Sequence, residues 1–211
     1  MKVLGIDEAG RGPVLGPMVM CGYLIEEEKL AQLRATGVKD SKVLSAEKRE
    51  SLVPVLKALC SDYIILKIPC EEIDSCGNLN RLEIDKMRQM IKALKPGKIV
   101  VDCPETNTRK FAEKVMGGLL MDAEIICENY ADANYAEVSA ASVLAKSARE
   151  GEIAKLHKEY GYFGTGYTSD ERTIAFLKGW LKRNKELPGM ARKSWITSKM
   201  LLAESRQAKL W

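Results

Sequence analysis

Short apolar runs alternate with longer amphipathic stretches along the chain. Runs typical of buried strands cover residues 3–6, 18–25, 63–68, 98–102 and 123–127. The stretch 79–94 repeats its apolar residues at helical spacing, and Lys95-Pro96-Gly97 ends it. Further helices are predicted after Ser45, which is a suitable N-cap, and over residues 108–120, 132–158, 170–182 and 197–209.

The order of these elements indicates the fold class. Strands that alternate with helices predict an α/β layer fold with a partly parallel sheet. The first two strands are joined by too few residues for a helical crossover, so we expect a mixed sheet. The C-terminal part reads as helical throughout. We therefore predict a catalytic body over residues 1–168 and a basic helical region over residues 169–211.

Charge is distributed unevenly, although the net charge is only +4. Residues 171–211 contain ten Lys or Arg and three Asp or Glu, a balance of +7, whereas residues 1–170 have a balance of −3. A basic region on an acidic body is typical of a protein with a polyanionic partner. A solvated helical face explains the same charges equally well, and the charge pattern does not separate the two.

Membrane and secreted classes are disfavoured. The sequence has no run of about 18 apolar residues and no N-terminal pattern typical of a secretion signal, so we expect a cytoplasmic protein. Its six cysteines form no Cys-x-x-Cys pair, which predicts reduced thiols rather than a zinc site. The single histidine, His157, lies in a polar helical run and is predicted to be a surface residue. Any enzymatic chemistry would then depend on carboxylates, lysines or metals.

Acids follow two of the apolar strands. Asp7 and Glu8 come after the first strand, Asp102 ends the fourth, and Asp132 begins a long predicted helix. Functional groups in α/β sheets collect at the carboxyl ends of strands, so these acids form a candidate cluster. Clustered carboxylates need a cation, and an oxygen-only ligand set favours Mg²⁺ or Mn²⁺. Such ions commonly serve phosphate chemistry.

Two glycine-rich segments could contact a ligand. Gly10-Arg11-Gly12 allows close backbone approach and offers a guanidinium to phosphate, but it lacks the Gly-Lys-Ser/Thr ending of a P-loop. The alternative is a tight turn before the next strand. The segment 164–170 presents Tyr167, Thr168 and Ser169 before a helix, where phosphate binding and simple helix capping are both open.

Several motifs in sequence order resemble the type 2 ribonucleases H, the ribonuclease HII family, and more closely their archaeal and eukaryotic branch. The matches run from residue 5 to about residue 195. They are Asp7-Glu8-Ala9-Gly10-Arg11-Gly12-Pro13 with Gly16-Pro17, Lys39-Asp40-Ser41-Lys42-x-Leu44, Val101-Asp102, Ala131-Asp132-Ala133-x-Tyr135, Ala140-Ala141-Ser142-x-x-Ala145-Lys146, Gly164-x-Gly166-Tyr167-x-Ser169-Asp170 and Arg192-x-Ser194-Trp195. Any one motif is modest, but the ordered set is specific.

The resemblance implies a ribonuclease H-like mixed five-stranded sheet flanked by helices, with a helical C-terminal region. It implies metal-dependent cleavage of the RNA strand of RNA–DNA hybrids, and cleavage 5′ of ribonucleotides embedded in duplex DNA, leaving 3′-hydroxyl and 5′-phosphate ends. Two Mg²⁺ or Mn²⁺ ions would act with the substrate. By residue, the family's four catalytic acids and metal ligands match Asp7, Glu8, Asp102 and Asp132.

Substrate contacts carry over in the same way. The family segment that senses the ribose 2′-hydroxyl matches Gly10, Arg11 and Gly12, and the tyrosine that stacks at the RNA-to-DNA junction matches Tyr167. Thr168, Ser169 and Arg192 are predicted to bind substrate with them. Lys42 and Lys146 are candidate phosphate contacts, although a single helix from Asp132 would place Lys146 about 21 Å along its axis. Asn134 and Ala136 depart from the family pattern. They weaken the prediction of local substrate contacts and leave the predicted activity unchanged.

Other functions and partners stay open from the sequence. A nucleic-acid-binding protein with a decayed site is disfavoured because all four acids are present. A different two-metal enzyme on the same fold, such as a junction nuclease, is disfavoured by the Gly10–Gly12 segment and by Tyr167. We expect a monomer without membrane contact that binds hybrid or ribonucleotide-containing duplexes. A sliding clamp is a further partner to test, although the C-terminal residues give it little support.

Overall fold

The structure, a computed structural model, describes residues 1–38 and 44–207. A mixed sheet of five strands occupies the described chain: β1 Lys2–Ala9, β2 Met18–Glu26, β3 Asp62–Ile68, β4 Lys98–Asp102 and β5 Glu124–Glu128. Its strand order is β3-β2-β1-β4-β5. β1 pairs antiparallel with β2 and parallel with β4, and β4 pairs parallel with β5. The predicted mixed α/β sheet is therefore confirmed.

The helices of the described residues alternate with the strands and then continue alone. They are α1 Leu30–Ala35, α2 Ala46–Leu59, α3 Cys70–Ser75, α4 Leu79–Leu94, α5 Thr108–Met116, α6 Ala131–Asn134, α7 Ala136–Tyr160, α8 Glu171–Asn184 and α9 Ile196–Gln207, with a 3₁₀ turn at Glu27–Lys29. Ser45 caps α2 as predicted, because its side chain accepts a hydrogen bond from the N–H of Lys48. No helix in the described segments is long and apolar enough to cross a membrane.

The chain folds as two compact units. The first unit comprises Met1–Ala9, Val19–Leu66 and Asn78–Ala148, and the second comprises Gly10–Met18, Lys67–Gly77 and the chain from Arg149 onward. The core of the first unit joins the inner side chains of β2 to α2 and to the alanine-rich part of α7. The core of the second unit centres on Phe163, Leu177 and Leu181, with Val14 and Leu15 packed into it. The sequence-based division at residue 168 stays a prediction.

Two predicted elements differ from the structure. β1 extends to Ala9, so Asp7 and Glu8 lie inside the strand, paired with Cys21 and Met20 of β2, rather than beyond its end. β1 continues because β2 provides a backbone partner for each of its residues up to Ala9. The apolar pattern of β1 alone does not reveal this pairing.

The predicted single helix over residues 132–158 is wrong. It is broken at Tyr135, whose extended backbone (φ −118°, ψ 119°) separates α6 from α7. The Tyr135 hydroxyl donates a 2.8 Å hydrogen bond to Oε1 of Glu128, and this tertiary contact overrides the helical propensity of the segment. The 21 Å spacing calculated for Lys146 therefore does not apply.

Candidate active site

Parallel pairing of β1 with β4 brings Asp7 and Asp102 to the same level of the sheet. Ile6 pairs with Val101, so each acid directly follows one member of that pair. Asp7 is buried, with 5% of its surface exposed, and Asp102 is half-buried. Adjacent parallel strands therefore place two of the predicted catalytic acids side by side.

A glycine near Asp7 allows α7 to approach β1 closely. A Cβ at Gly5 would lie 2.3 Å from the backbone carbonyl carbon of Glu137, at the start of α7. Side chains two residues apart in a strand share a face, so Asp7 points to the same helix. Farther along α7, the hydroxyl of Ser142 faces the Asp7 carboxyl group and opposes the rise in its pKa.

The loop after β4 is tied to the segment after β5, which carries Asp132. Oδ1 of Asp102 accepts a 2.9 Å hydrogen bond from the backbone N–H of Ala131. The side-chain amide of Asn129 donates to the carbonyls of Cys103 (2.7 Å) and Glu105 (3.0 Å). Asp132 follows in α6 and is 3% exposed. Short hydrogen bonds thus fix the two acids relative to each other.

Electrostatic interactions show which of the acids lie near Asp7. Burial is the largest cause that raises the pKa of Asp7 to about 7, and the charges of Asp102 and Asp132 contribute to the same rise. Glu8 differs, because successive side chains of a strand point to opposite faces of the sheet. Its charge instead contributes to the raised pKa of Cys103. Asp102 and Asp132 thus lie near Asp7, and the charges of Asp102 and Glu8 both act on Cys103, the residue that follows Asp102.

The acids match the requirements of a divalent cation in their chemistry. Within residues 1–38 and 44–207, no three Asp, Glu, His or Cys side chains already form a closed metal-binding group. Even so, Asp7, Asp102 and Asp132 are near enough to repel one another, and only oxygen atoms are offered. A Mg²⁺ or Mn²⁺ ion would relieve that repulsion and prefers such ligands.

The second unit contains the glycine loop, residues 10–16. Val14 and Leu15 donate backbone hydrogen bonds to the carbonyl of Gly166, and Gly16 donates to that of Met190. Gly10 (φ 80°) and Gly16 (φ 84°) adopt the left-handed conformation that favours glycine. A Cβ at Gly10 would in addition clash with the side chain of Arg149, 2.1 Å from its Nε.

Arg192 is fully buried against this loop. Its guanidinium donates to the backbone carbonyls of Gly10, Arg11 and Gly16. Burial is the main reason that its pKa falls to about 10, the charge of Arg149 adds to the fall, and Cys70 opposes it. Nε1 of Trp195 donates a 3.2 Å hydrogen bond to the carbonyl of Gly12, so a second side chain of the same motif holds the loop.

The segment 164–170 presents Tyr167, Thr168 and Ser169 as exposed residues of the second unit. The guanidinium of Arg149 lies over the Tyr167 ring, 5.4 Å from its centroid. Helix capping, one of the two roles left open for this segment, is made by Asp170, whose carboxylate accepts from the N–H of Arg172 in α8 and also from that of Thr165. The pKa of Asp170 is held well below the usual range, chiefly by the side chain of Arg172.

Other predicted residues have simpler placements. Lys42, with the rest of its motif at residues 39–43, lies outside the described residues. Lys146 is half-buried on α7. The prediction for His157 is wrong: it is half-buried, its Nε2 lies 2.9 Å from the carbonyl oxygen of Gly164, and its ring packs on Phe163 with centroids 4.2 Å apart. The six cysteines are free thiols.

Sequence reasoning missed four residues of these networks: Asp74, Asn129, Arg149 and the role of Trp195. Asp74 is the most informative, since its carboxylate accepts from the backbone of Lys193 and Ser194 and from the Ser194 hydroxyl. More than a hundred residues separate these partners, so local spacing gives no signal for them. Arg149 could have been noted as a basic residue directly after the alanine-rich stretch 140–148.

Comparison with known proteins matches this fold along most of the chain. The ribonuclease H2 of Pyrococcus horikoshii OT3 superposes with a TM-score of 0.94 at 41% identity, over 98% of this chain and 100% of that chain. The structure of the PCNA:RNase HII complex from Archaeoglobus fulgidus matches with a TM-score of 0.84 at 35% identity, over 92% of this chain and 95% of that chain. These matches to solved structures define a ribonuclease H, a hydrolase of the nuclease class.

The sequence places the chain more finely within this class. Ribonuclease HII of Pyrococcus abyssi is 40% identical over 213 residues, which cover 100% of this chain and 95% of that protein. The sequence model of ribonuclease HII matches residues 4–198. The chain belongs to the ribonuclease HII family, and it resembles archaeal members along its whole length.

Proposed function

We propose that this endonuclease hydrolyses the RNA strand of RNA–DNA hybrids and cuts 5′ of ribonucleotides embedded in duplex DNA, leaving 3′-hydroxyl and 5′-phosphate ends. The observation that carries the proposal is the meeting of Asp7, Asp102 and Asp132 at one edge of the sheet, where they raise the pKa of Asp7. Negative charges beside a buried carboxyl group destabilise a protein unless a cation is bound, so the approach of Asp102 and Asp132 to Asp7 supports a functional site.

Two Mg²⁺ or Mn²⁺ ions would be held by Asp7, Glu8, Asp102 and Asp132. When bound, they would supply a deprotonated water and neutralise charge on the scissile phosphate. The chain itself fixes the carboxylates: Ala131 and Asn129 hold the loop of Asp102, and α7 covers Asp7. Glu8 follows Asp7 directly in β1, so it would reach the ions from a different direction, and its charge acts with that of Asp102 on Cys103.

Recognition of RNA requires a contact to the ribose 2′-hydroxyl. The glycine loop suits this task because backbone groups sense the sugar regardless of base identity, and its glycines permit close approach. Gly12 is exposed and Arg11 half-exposed, and Tyr167 presents an exposed ring that suits stacking on a base or a sugar. We assign the 2′-hydroxyl contact to residues 10–12, the stacking contact to Tyr167, and polar backbone contacts to Thr168 and Ser169.

Duplex binding would depend on basic side chains as well. Lys42, Lys146 and the basic residues of α8 and α9 are candidates for phosphate contacts, and binding would then weaken at high salt. The Archaeoglobus fulgidus relative is described in a complex with PCNA, which makes such a clamp a partner worth testing for this chain. We propose that the catalytic unit of function is the monomer.

The decisive experiment is cleavage-site mapping on three matched duplexes: all-DNA, DNA with one ribonucleotide, and an RNA–DNA hybrid. With Mg²⁺ or Mn²⁺ we expect a single cut 5′ of the lone ribonucleotide, several cuts in the hybrid, and none in the all-DNA duplex. EDTA should abolish cleavage. Equal cleavage of the all-DNA duplex would refute ribose recognition, and cleavage in EDTA would refute the metal assignment.

A further inference from the structure

The carbonyl groups of the glycine loop turn toward one side chain. Arg192 is fully buried and donates to the carbonyls of Gly10 and Arg11, with the latter bond at 2.7 Å, and to that of Gly16 at 3.0 Å. A guanidinium has five N–H donors in a fixed plane, so a single side chain can hold several acceptors in a set arrangement.

The direction of these carbonyls sets the direction of the next amides. In a trans peptide the C=O of one residue and the N–H of the next point in opposite directions, and the described residues contain no cis peptide. Because the carbonyls of Gly10 and Arg11 point to Arg192, the N–H groups of Arg11 and Gly12 point away from it. The loop therefore presents consecutive donors on one side, as expected of a site that takes an acceptor oxygen.

Two more contacts hold the remainder of the loop. The carbonyl of Gly12 belongs to a peptide without an N–H, since residue 13 is proline, and it accepts from Nε1 of Trp195. The turn that carries Arg192 and Trp195 is itself anchored by Asp74, which accepts 2.8 Å and 2.9 Å hydrogen bonds from the N–H groups of Lys193 and Ser194.

We propose that Arg192 is a positioning residue for ribose recognition: it orients the peptides of Gly10 and Arg11 so that the loop's N–H groups face the substrate. This inference rests on the proposed function and replaces direct substrate contact by Arg192 with an action through the loop. Burial of the guanidinium is costly, and the neighbouring charge of Arg149 adds to the cost. A buried cation whose hydrogen bonds go to backbone carbonyls of one loop is poorly explained by stability alone.

The test compares substrate discrimination among folded variants. Affinity is measured in EDTA for a duplex with one ribonucleotide and for the matching all-DNA duplex. The variants are Arg192→Met, Arg192→Lys and Trp195→Phe. The last of these removes the indole N–H donor and keeps an aromatic ring. Lys193→Ala is the matched control, because it changes the adjacent, exposed basic residue. Thermal unfolding checks that each variant is folded, and Mn²⁺ titration by calorimetry checks that its acids still bind the metal.

We expect both Arg192 variants to lose at least about tenfold of the preference for the ribonucleotide duplex, since small misplacements of a positioned group are costly. Trp195→Phe should lose part of it and Lys193→Ala none, while Mn²⁺ binding stays unchanged. Preserved discrimination in a folded Arg192 variant would overturn the proposal, as would an equal loss of affinity for both duplexes.

Two further outcomes are distinguishable. If the Arg192 variants do not fold, Trp195→Phe and Asp74→Ala provide the test, and full discrimination in both would overturn the proposal. If the unmodified protein binds and cleaves both duplexes alike, the proposed ribose recognition itself fails. If the wild type and the variants prefer the ribonucleotide duplex equally, only the role of Arg192 is refuted, and ribose recognition stands.

Discussion

The backbone N–H of Ala131 donates a 2.9 Å hydrogen bond to Oδ1 of Asp102. This bond joins the end of β4 to the first residue of α6 and so fixes Asp102 relative to Asp132, the next residue along α6. One carboxylate oxygen thus has a structural partner, and the charge of the group remains within electrostatic reach of Asp7. Suitable substitutions of Asp102 can therefore separate the contribution of its hydrogen bond from that of its negative charge.

Asp102→Asn should abolish most activity without unfolding the protein. The asparagine keeps an acceptor for the Ala131 N–H but removes the negative charge that a metal requires. We expect hybrid cleavage to fall by at least about 100-fold. The melting temperature should change by less than about 2 °C, because the hydrogen bond is retained.

Asp102→Ala is the matched comparison, since it removes both the charge and the hydrogen bond. We expect a similar loss of activity and a melting temperature lower by about 2–4 °C, the effect of about 1 kcal/mol in a chain of this size. Activity near wild type in either variant would remove Asp102 from the site. Equal melting temperatures for the two variants would show that the Ala131 bond contributes little.

Gly5→Ala should destabilise the first unit. A Cβ at this position would lie 2.3 Å from backbone atoms of Glu137, and a helix backbone cannot move aside as a flexible side chain can. Overpacking of this kind costs about 1–3 kcal/mol, and the displaced helix would also move Ser142 away from Asp7. We therefore expect a lower midpoint in urea and reduced cleavage.

The control for Gly5→Ala is Gly151→Ala, which changes a glycine of α7, the helix that packs on Gly5. A Cβ at Gly151 would meet no atom within 4 Å, so the change should stabilise the protein by up to about 1 kcal/mol. If both variants shifted the urea midpoint in the same direction, the close approach of α7 to β1 would not be the cause.

Much of the fold follows from short-range patterns. The helix at Leu79–Leu94 and the strand at Lys98–Asp102 match their predicted bounds, because apolar periodicity and the Lys95-Pro96-Gly97 break act locally. The extension of β1 to Ala9 and the break at Tyr135 depend on partners elsewhere in the chain, namely β2 and Glu128. Local propensity carries no information about such partners.

The candidate site divides in the same manner. The meeting of Asp7 with Asp102 could be predicted, because both residues come at comparable points of apolar strands. The position of Glu8 inside β1, paired with Met20, could have been predicted only with the knowledge that β2 runs alongside it. The guanidinium network of Arg192 spans more than 170 residues of sequence, and its geometry depends on how the chain returns to the glycine loop.

Arg149→Met should weaken substrate binding through Tyr167. The guanidinium of Arg149 lies 5.4 Å from the centre of the Tyr167 ring, a contact that contributes about 0.5–2 kcal/mol. Without it the ring loses its fixed position, so we expect KM for the single-ribonucleotide duplex to rise several-fold, with less change in kcat. Lys158→Met, an exposed change on the same helix, is the control.

A double-mutant cycle decides whether Arg149 acts through the ring. Tyr167→Ala alone should impair cleavage at a single ribonucleotide and leave metal affinity unchanged. Combined with Arg149→Met it should add little further loss, because the two residues would serve one contact. Additive losses would indicate that Arg149 acts independently, and a fall in Mn²⁺ affinity would make Tyr167 a scaffold residue.

The pKa of Asp7 predicts how the stability of the metal-free protein depends on pH. Burial and the charges of Asp102 and Asp132 raise the pKa from 3.8 to about 7 in the folded state. Between these values the folded protein binds more protons than the unfolded chain, so the free energy of unfolding falls as pH rises. In EDTA, urea unfolding should therefore show Asp7→Asn gaining stability relative to wild type from pH 5 to pH 7, by no more than about 3 kcal/mol, and staying level above about pH 8. Mg²⁺ at pH 8 should stabilise the wild type and have little effect on the variant, because a cation favours the ionised carboxylate. A difference between the two proteins that did not vary with pH would contradict this account of Asp7.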